Sequence, residues 1–373
     1  MFAYFDNSAT TKPCPEAVAA VQEALTACWG NPSSVHRLGI EAAHHLKQAR
    51  AQVAACMGAQ PDRVFFTSCG TEADNWAVFS CARRQKRRGL THFITTSVEH
   101  HAILDAMAQL EGFTVTYLKP DEKGNVTAEQ LMDALTEKTG FVSIMMVNNE
   151  SGAVMPIEAM ARAVHRKNPD CLFHTDAVQG FCKIPFRAAT LGADLISVSG
   201  HKLHALKGAG ALYIRPGLTL PAYLYGGGQE QKLRSGTEPM PAICAMGAAC
   251  AAAMPTMGQD IARQQELKTM LLEEIAKMPG IVPLGAAQAP HIVSLSIPGV
   301  PSQNTINLLQ EREIYVSAGS ACSKGHRSHV LEAMGLPTKQ IDSAIRISLS
   351  RFTTREEIEW LLAGLQAVLD WKR

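Results

Sequence analysis

The stretch Ser197-Val-Ser-Gly-His-Lys202 sets hydroxyls, a glycine and an imidazole immediately before a lysine. The preceding run, Ala193-Asp-Leu-Ile-Ser-Val198, reads as a short buried strand. The amine of Lys202 therefore falls at a strand's carboxyl end, where open α/β sheets place ligands. An amine there suits a Schiff base to a phosphorylated aldehyde such as pyridoxal phosphate, with Ser199 and His201 placed to hold the phosphate. A surface lysine closing a strand is the plainer alternative for this stretch alone. Upstream, Phe173-His-Thr-Asp-Ala-Val-Gln179 is another apolar run ending in polar groups. A carboxylate facing a pyridine nitrogen keeps that nitrogen protonated, which makes the ring an electron sink. Asp176 is the candidate for that role, and Gln179 could donate to the ring's phenolic oxygen. Taken apart from Lys202, the same two residues would serve as a helix cap and a surface amide.

Three further strand ends carry chemistry. Val64-Phe-Phe-Thr67 turns through Ser68-Cys-Gly-Thr-Glu72 into a helix expected to begin near Ala73. Gly70 lets the backbone approach a phosphate, Thr71 offers a hydroxyl and an amide, and the helix start carries partial positive charge. An ordinary turn with Thr71 as N-cap fits the same letters. His100, past the strand His92-Phe-Ile-Thr-Thr96, could stack on a flat ring and pass protons, or simply cap the next helix. Asn149 follows the hydrophobic strand Phe141–Val147, where it could meet a substrate or ring oxygen. One thiol differs in setting from the others. Cys322 lies in Ser317-Ala-Gly-Ser-Ala-Cys-Ser-Lys-Gly325, a run of tiny residues that moves easily, and Lys324, His326 and Arg327 favour its thiolate. A free cysteine in a flexible loop is the alternative.

The elements that position these groups alternate as β then α. A helix from Pro15 to about Gly30 and another from about Arg37 to Met57 follow an extended arm at residues 2–11. An alanine-rich helix is expected to run unbroken from Met240 to about Lys277, joining a large unit to a small α+β one. The expected division is 14–245 for the large unit, and 1–13 with 246–373 for the small one, which carries the Cys322 loop.

The chain has 373 residues, 46% hydrophobic and 18% charged, enough for two cores. A formal net charge of +1 gives no case for direct nucleic acid or membrane-surface binding. The basic cluster Arg83-Arg-Gln-Lys-Arg-Arg88 ends a helix, where the dipole favours cations. No run approaches a membrane span, and no signal peptide fits. Ten cysteines lie scattered without a C-x-x-C pair. A reducing cytoplasm and no protein-bound metal are the expectations.

Thr71-Glu72, Glu99-His100, Val147-Asn-Asn-Glu150, Asp176 to Gln179, Ser199-Gly-His-Lys202, Arg234-Ser-Gly-Thr237 and Gly319-Ser-Ala-Cys322 occur in this order. Together they resemble the NifS- and IscS-like cysteine desulfurases of the class V aminotransferase superfamily, and the resemblance covers nearly the whole chain. It implies pyridoxal-phosphate fold type I, an α/β fold with a mainly parallel seven-stranded sheet in the large domain and a smaller α+β domain. It implies Lys202 as the aldehyde-binding lysine, Asp176 on the pyridine nitrogen, Gln179 on the phenolic oxygen and His100 over the ring. It implies phosphate contacts from Gly70, Thr71, Ser199 and His201, with Thr237 reaching across from the second subunit of a homodimer. Arg346 with Asn149 would clamp the carboxylate of L-cysteine. Cys322 would take the sulfur as a persulfide, release alanine, and pass the sulfur to an acceptor such as an iron–sulfur scaffold or a tRNA-thiolation enzyme. Selenocysteine lyase, a transaminase-like reaction and a non-enzymatic scaffold are the alternatives.

Two departures from the family pattern stand out. His204, Ala205 and Leu206 replace tyrosine, glycine and proline after the lysine, which predicts altered loop geometry beside the cofactor. The segment after Cys322 is shorter and lacks Leu-Glu-Pro, while Cys69 replaces a small residue at the phosphate turn.

Overall fold

A computed structural model describes residues 2–318 and 327–372. The chain opens with β1 (Ala3–Tyr4), α1 (Pro15–Thr26) and α2 (Arg37–Met57). Pro15 begins α1, where a missing N–H costs nothing, and Gly58 ends α2 at φ +66°, a left-handed cap that glycine adopts without strain. There follow β2 (Val64–Thr67), α3 (Gly70–Lys86), β3 (His92–Thr96), α4 (His101–Ala108), β4 (Thr114–Leu118), α5 (Ala128–Ala134), β5 (Thr139–Ser143), α6 (Ile157–Lys167), β6 (Leu172–Asp176), α7 (Ala188–Leu191), β7 (Leu195–Ser199) and β8 (Gly210–Ile214). The second half carries α8 (Met240–Ala253), α9 (Met257–Ile275), β9 (Val282–Leu284), β10 (Ile292–Ser296), α10 (Ser302–Gln310), β11 (Ile314–Tyr315), α11 (His329–Ala333), α12 (Thr338–Ile341), β12 (Ala344–Ser348) and α13 (Arg355–Lys372).

Seven strands form one sheet in the order β2-β8-β7-β6-β5-β3-β4. Only β8 runs against the rest, pairing antiparallel with β7 on one side and β2 on the other. The inner strands β3, β5, β6 and β7 are buried at every residue, as expected of a sheet covered by helices on both faces. One covering core contains Val53, Met57, Phe173 and Met246, and the other is built around Trp76, Phe93 and Phe141. A further core gathers Phe5 with Leu271, Leu295, Ile347 and Leu365, over the three strands β12-β10-β9. The N-terminal arm belongs to it, since β1 pairs with β11 and Asp6 bridges to Ser348.

Two expectations are corrected. The helix predicted from Met240 to Lys277 is two helices, α8 and α9, meeting at a 77° bend. Pro255 lies in the break, where its missing N–H and its ring preclude a continuous helix. The helix after β2 begins at Gly70 rather than near Ala73, with Cys69 as its extended N-cap residue.

Candidate active site

The carboxyl ends of β2, β3, β5, β6 and β7 converge with the N-terminal arm around a cavity of about 250 Å³. It is lined by Gly70 and Thr71 at the start of α3, His100 at the start of α4, Asn149 beyond β5, Asp176 at the end of β6 and Gln179 beyond it, and Ser199 at the end of β7 with His201 and Lys202 beyond it. Arg346 of β12 closes it from the other core. The register of the parallel strands β3, β5, β6 and β7 thus brings together cavity residues from His100 to Lys202.

The amine of Lys202 donates to the carbonyls of Ser8 at 2.5 Å and Ala9 at 2.7 Å. The arm therefore acts as the cradle of the lysine. Gln179 Nε2 binds the same Ser8 carbonyl at 2.9 Å, so both cavity side chains are referred to one fixed acceptor. Asp176 closes β6, with Oδ1 accepting from the Val178 amide at 2.8 Å. Burial raises its carboxyl to about 6 against the opposing pull of the Val178 amide and the Lys202 ammonium. A cation facing it would restore full ionisation.

His100 is both an N-cap and a cavity residue. Its Nδ1 accepts from the Ala102 amide at 3.1 Å, which leaves the ring proton on Nε2. Burial and the nearby Lys202 lower it to about 4, so the ring is neutral at physiological pH. The same two causes, in the same order, lower His201 to about 4. At the opposite end of the cavity the first-turn amides of α3 make an anion-receptive terminus. A Cβ built on Gly70 would come within 2.9 Å of Val178 Cγ2 and 3.3 Å of Ser199 Cβ, so only glycine keeps that terminus open. Ser199 Oγ and Ser8 Oγ are buried there without a hydrogen-bond partner among the described residues.

Arg346 is 1% exposed and is held by Asp6 Oδ1 at 2.8 Å and the Asn149 carbonyl at 3.0 Å. Its Nε is buried without a partner among the described residues, which leaves a donor for an incoming carboxylate. Asn149 contributes its backbone to this clamp. Its neighbour Asn148 is structural, its Oδ1 accepting from the Glu150 and Ser151 amides.

Several participants carried no role in the sequence reading. Asp6, Ser8 and Ala9 were visible as letters of a polar opening, but their contacts span some 190 to 340 residues. Glu99 lies fully buried behind the cavity, accepting from the Thr96 hydroxyl and the Met145 amide, and burial raises it to about 8. Asp74, one turn into α3, also lines the cavity, and burial together with Asp176 raises its carboxyl well above the usual range.

Thr237 is exposed and is not among the cavity's lining residues. Arg234, three positions before it, pairs with Glu72 in the first turn of α3, which ties this loop to the anion-receptive end. Residues 204–206 follow Lys202 directly but are not among the residues lining the cavity. His204 takes φ +68° and docks the arm: its N–H donates to Thr11 Oγ1 at 2.8 Å and its Nδ1 donates to the Lys12 carbonyl at 2.9 Å. Cys69 does line the cavity. Cys322 lies outside the described residues. Its flanks are anchored beside the site: Ser317 pairs with Arg346 through the backbone, Ser328 Oγ donates to Glu150, and His329 Nε2 meets the Glu99 carbonyl.

The Aminotransferase class-V profile matches residues 3–361. The chain is 39% identical over 374 residues to a protein from Trichormus azollae named cysteine desulfurase, covering 98% of this chain and 92% of that one. It is 38% identical over 365 residues to one named cysteine desulfurase IscS from Methanosarcina thermophila, covering 96% and 90%. Among solved structures it superposes on a NifS-like protein with a TM-score of 0.94 at 37% identity, covering all of both chains. It also matches a protein solved as SspA in complex with cysteine, with a TM-score of 0.81 at 32% identity, covering 94% of this chain and 100% of that one.

Proposed function

The chain belongs to the class V aminotransferase family and is a cysteine desulfurase, and from that premise we propose that it works through the cavity at Lys202 with the thiol of Cys322 as sulfur acceptor. The observation that carries this reading is the convergence of the Lys202 amine and the Asp176 carboxylate on one cavity whose far end is the start of α3.

The donor set fits pyridoxal phosphate. Lys202 offers the amine for its aldehyde, Asp176 the anion for its ring nitrogen and Gln179 an amide for its phenolic oxygen. The first-turn amides of α3, the Thr71 hydroxyl, the Ser199 hydroxyl, which has no partner among the described residues, and His201 suit its phosphate. Bound there, the cofactor supplies an electron sink for the carbon atoms of the substrate.

The chain's own residues do the rest. The arm carbonyls hold the Lys202 amine in place. Arg346, fixed by Asp6 and Asn149, receives the substrate carboxylate through its Nε, which has no partner among the described residues, and so orients the amino acid. His100, neutral and with its proton on Nε2, offers a proton at that atom to substrate. Cys322 lies five positions along the chain from Ser317, whose backbone pairs with Arg346, and an extended chain spans at most about 18 Å over that length. The net exchange is L-cysteine plus the Cys322 thiol giving L-alanine plus a Cys322 persulfide. The substrate C–S bond breaks, an S–S bond forms, and carbon gains the proton.

The persulfide sulfur then passes to an acceptor protein, either an iron–sulfur scaffold or a tRNA-thiolation enzyme. Thr237 completes the phosphate site of a partner subunit in a homodimer, a reading supported by its exposure and by the Arg234–Glu72 tie. The division into a large unit at 14–245 and a small one from 1–13 with 246–373 rests on the separate core around Phe5 and Leu365. A reducing cytoplasm suits the free thiols. Cys322→Ser should keep the cofactor's visible absorbance while alanine release from cysteine falls at least about 100-fold, and the native chain should show added sulfur on the Cys322 peptide by mass spectrometry. Undiminished alanine release by the variant overturns the assignment, and equal use of selenocysteine by variant and native chain marks a lyase.

A further inference from the structure

Away from the active cavity, three cysteines from distant parts of the chain meet behind it. Cys56 comes from the last turn of α2, Cys182 from the loop after β6, and Cys250 from α8. The Cys56 and Cys182 sulfurs are 3.2 Å apart, and all three sulfurs lie within 4.8 Å of one another. A cavity of about 400 Å³ opens onto Cys56 and Cys182 beside Glu158 and Arg187. Cys182 has φ +62°, the left-handed region where glycine sits without strain, yet the chain carries a thiol there.

We propose that Cys56, Cys182 and Cys250 form a binding site for a thiophilic d10 cation, Zn2+ or Cu+, entered through that cavity. Zinc and cuprous ions take thiolate sulfurs at about 2.3 Å, which places neighbouring sulfurs somewhat under 4 Å apart. The three sulfurs already stand close to that spacing. Two of them belong to helices and the third to a short loop, so small side-chain movements complete the shell. The cavity leaves room for water as a fourth ligand on zinc, while three sulfurs alone satisfy a cuprous ion.

Binding displaces the thiol protons to solvent. A disulfide between Cys56 and Cys182 would use two of the sulfurs and leave Cys250 without a role, whereas a cation uses all three.

The test uses the full-length holoenzyme with Cys322→Ser, so that the proposed sulfur acceptor does not compete, reduced with a phosphine and then freed of reductant. Zn2+ and Cu+ are added separately, with Cd2+ as a spectroscopic probe. Native mass spectrometry should show one cation retained per chain, and Cd2+ should raise a thiolate charge-transfer band in the ultraviolet. Cys56→Ser and Cys182→Ala should each weaken retention at least about 100-fold while circular dichroism and the cofactor's visible band stay unchanged. Cys250→Ala provides a third variant should either of those fail to fold. Retention of either Zn2+ or Cu+ that is lost in the variants supports the site. Retention of neither cation, or retention undiminished in the folded variants, overturns it.

Discussion

Replacing Asp176 by Asn separates what the fold tolerates from what the cofactor needs. The side chain is 6% exposed, and Oδ1 accepts the Val178 amide, a bond that Asn keeps through the same atom. Burial lifts the carboxyl from 3.8 to about 6, a rise that corresponds to about 3 kcal/mol of disfavoured ionisation. Because the folded value lies above the unfolded one, the stabilising contribution of this group is present below about pH 4 and is lost as pH rises through 6. The cofactor-free variant should therefore unfold at higher urea than the native chain at neutral pH, with the difference shrinking toward pH 4. Cofactor binding should move the other way. A pyridinium facing a buried carboxylate forms a charge-assisted bond of about 2–3 kcal/mol, so the variant's dissociation constant should rise about 30- to 150-fold. Both quantities are measurable without substrate, by urea titration of the apoprotein and by visible absorbance during cofactor titration. A dissociation constant changed by less than about 3-fold would refute the placement of Asp176 at the ring nitrogen.

Other perturbations probe the surrounding shell. Arg346→Lys keeps the charge but loses the planar fork held by Asp6 and Asn149, so KM for cysteine should rise about 10- to 100-fold with a smaller change in kcat, and an unchanged KM would contradict the clamp. Glu99→Gln should be tolerated while Glu99 keeps its proton. Since burial raises that group to about 8, its contribution falls away as pH climbs from about 4.5 to 8, and the variant should gain urea resistance relative to the native chain between about pH 5 and pH 9. A difference that does not vary with pH would show Glu99 ionised throughout. Gly70→Ala places a Cβ against Val178 and Ser199, and should weaken cofactor binding about 5-fold or more with little change in urea midpoint for the apoprotein; affinity equal to the native chain's would show that the start of α3 does not receive the phosphate.

Much of this arrangement was legible because strand ends announce themselves. An apolar run followed by Ser-Gly-His-Lys or by Asp-Ala-Val-Gln marks both the element and its working end, and the helix expected from about Arg37 to Met57 has those bounds. The seven-stranded, mainly parallel sheet also agrees with the family resemblance. The break at Pro255 was written in the sequence and overridden by an alanine-rich composition, although the local rule about proline governs the backbone there. Other features had no local signal. The pairing of β2 with β8 joins strands more than a hundred residues apart. The Asp6–Arg346 ion pair and the grip of Ser8 and Ala9 on Lys202 exist only once the arm has joined the second core. The depth at which Glu99 and Asp74 are buried follows from layers packed over them. The cysteine cluster escaped the expectation of no metal because its members share no spacing motif, Cys56 and Cys182 being 126 residues apart.

The central claim concerns one amine. Lys183 is the natural competitor, since it is buried nearby and burial lowers it to about 7, but it does not line the cavity. Borohydride reduction of the purified chain with pyridoxal phosphate, followed by peptide mapping, should place the pyridoxyl label on Lys202 alone. A label on Lys183, on any other lysine, or on none would contradict the account.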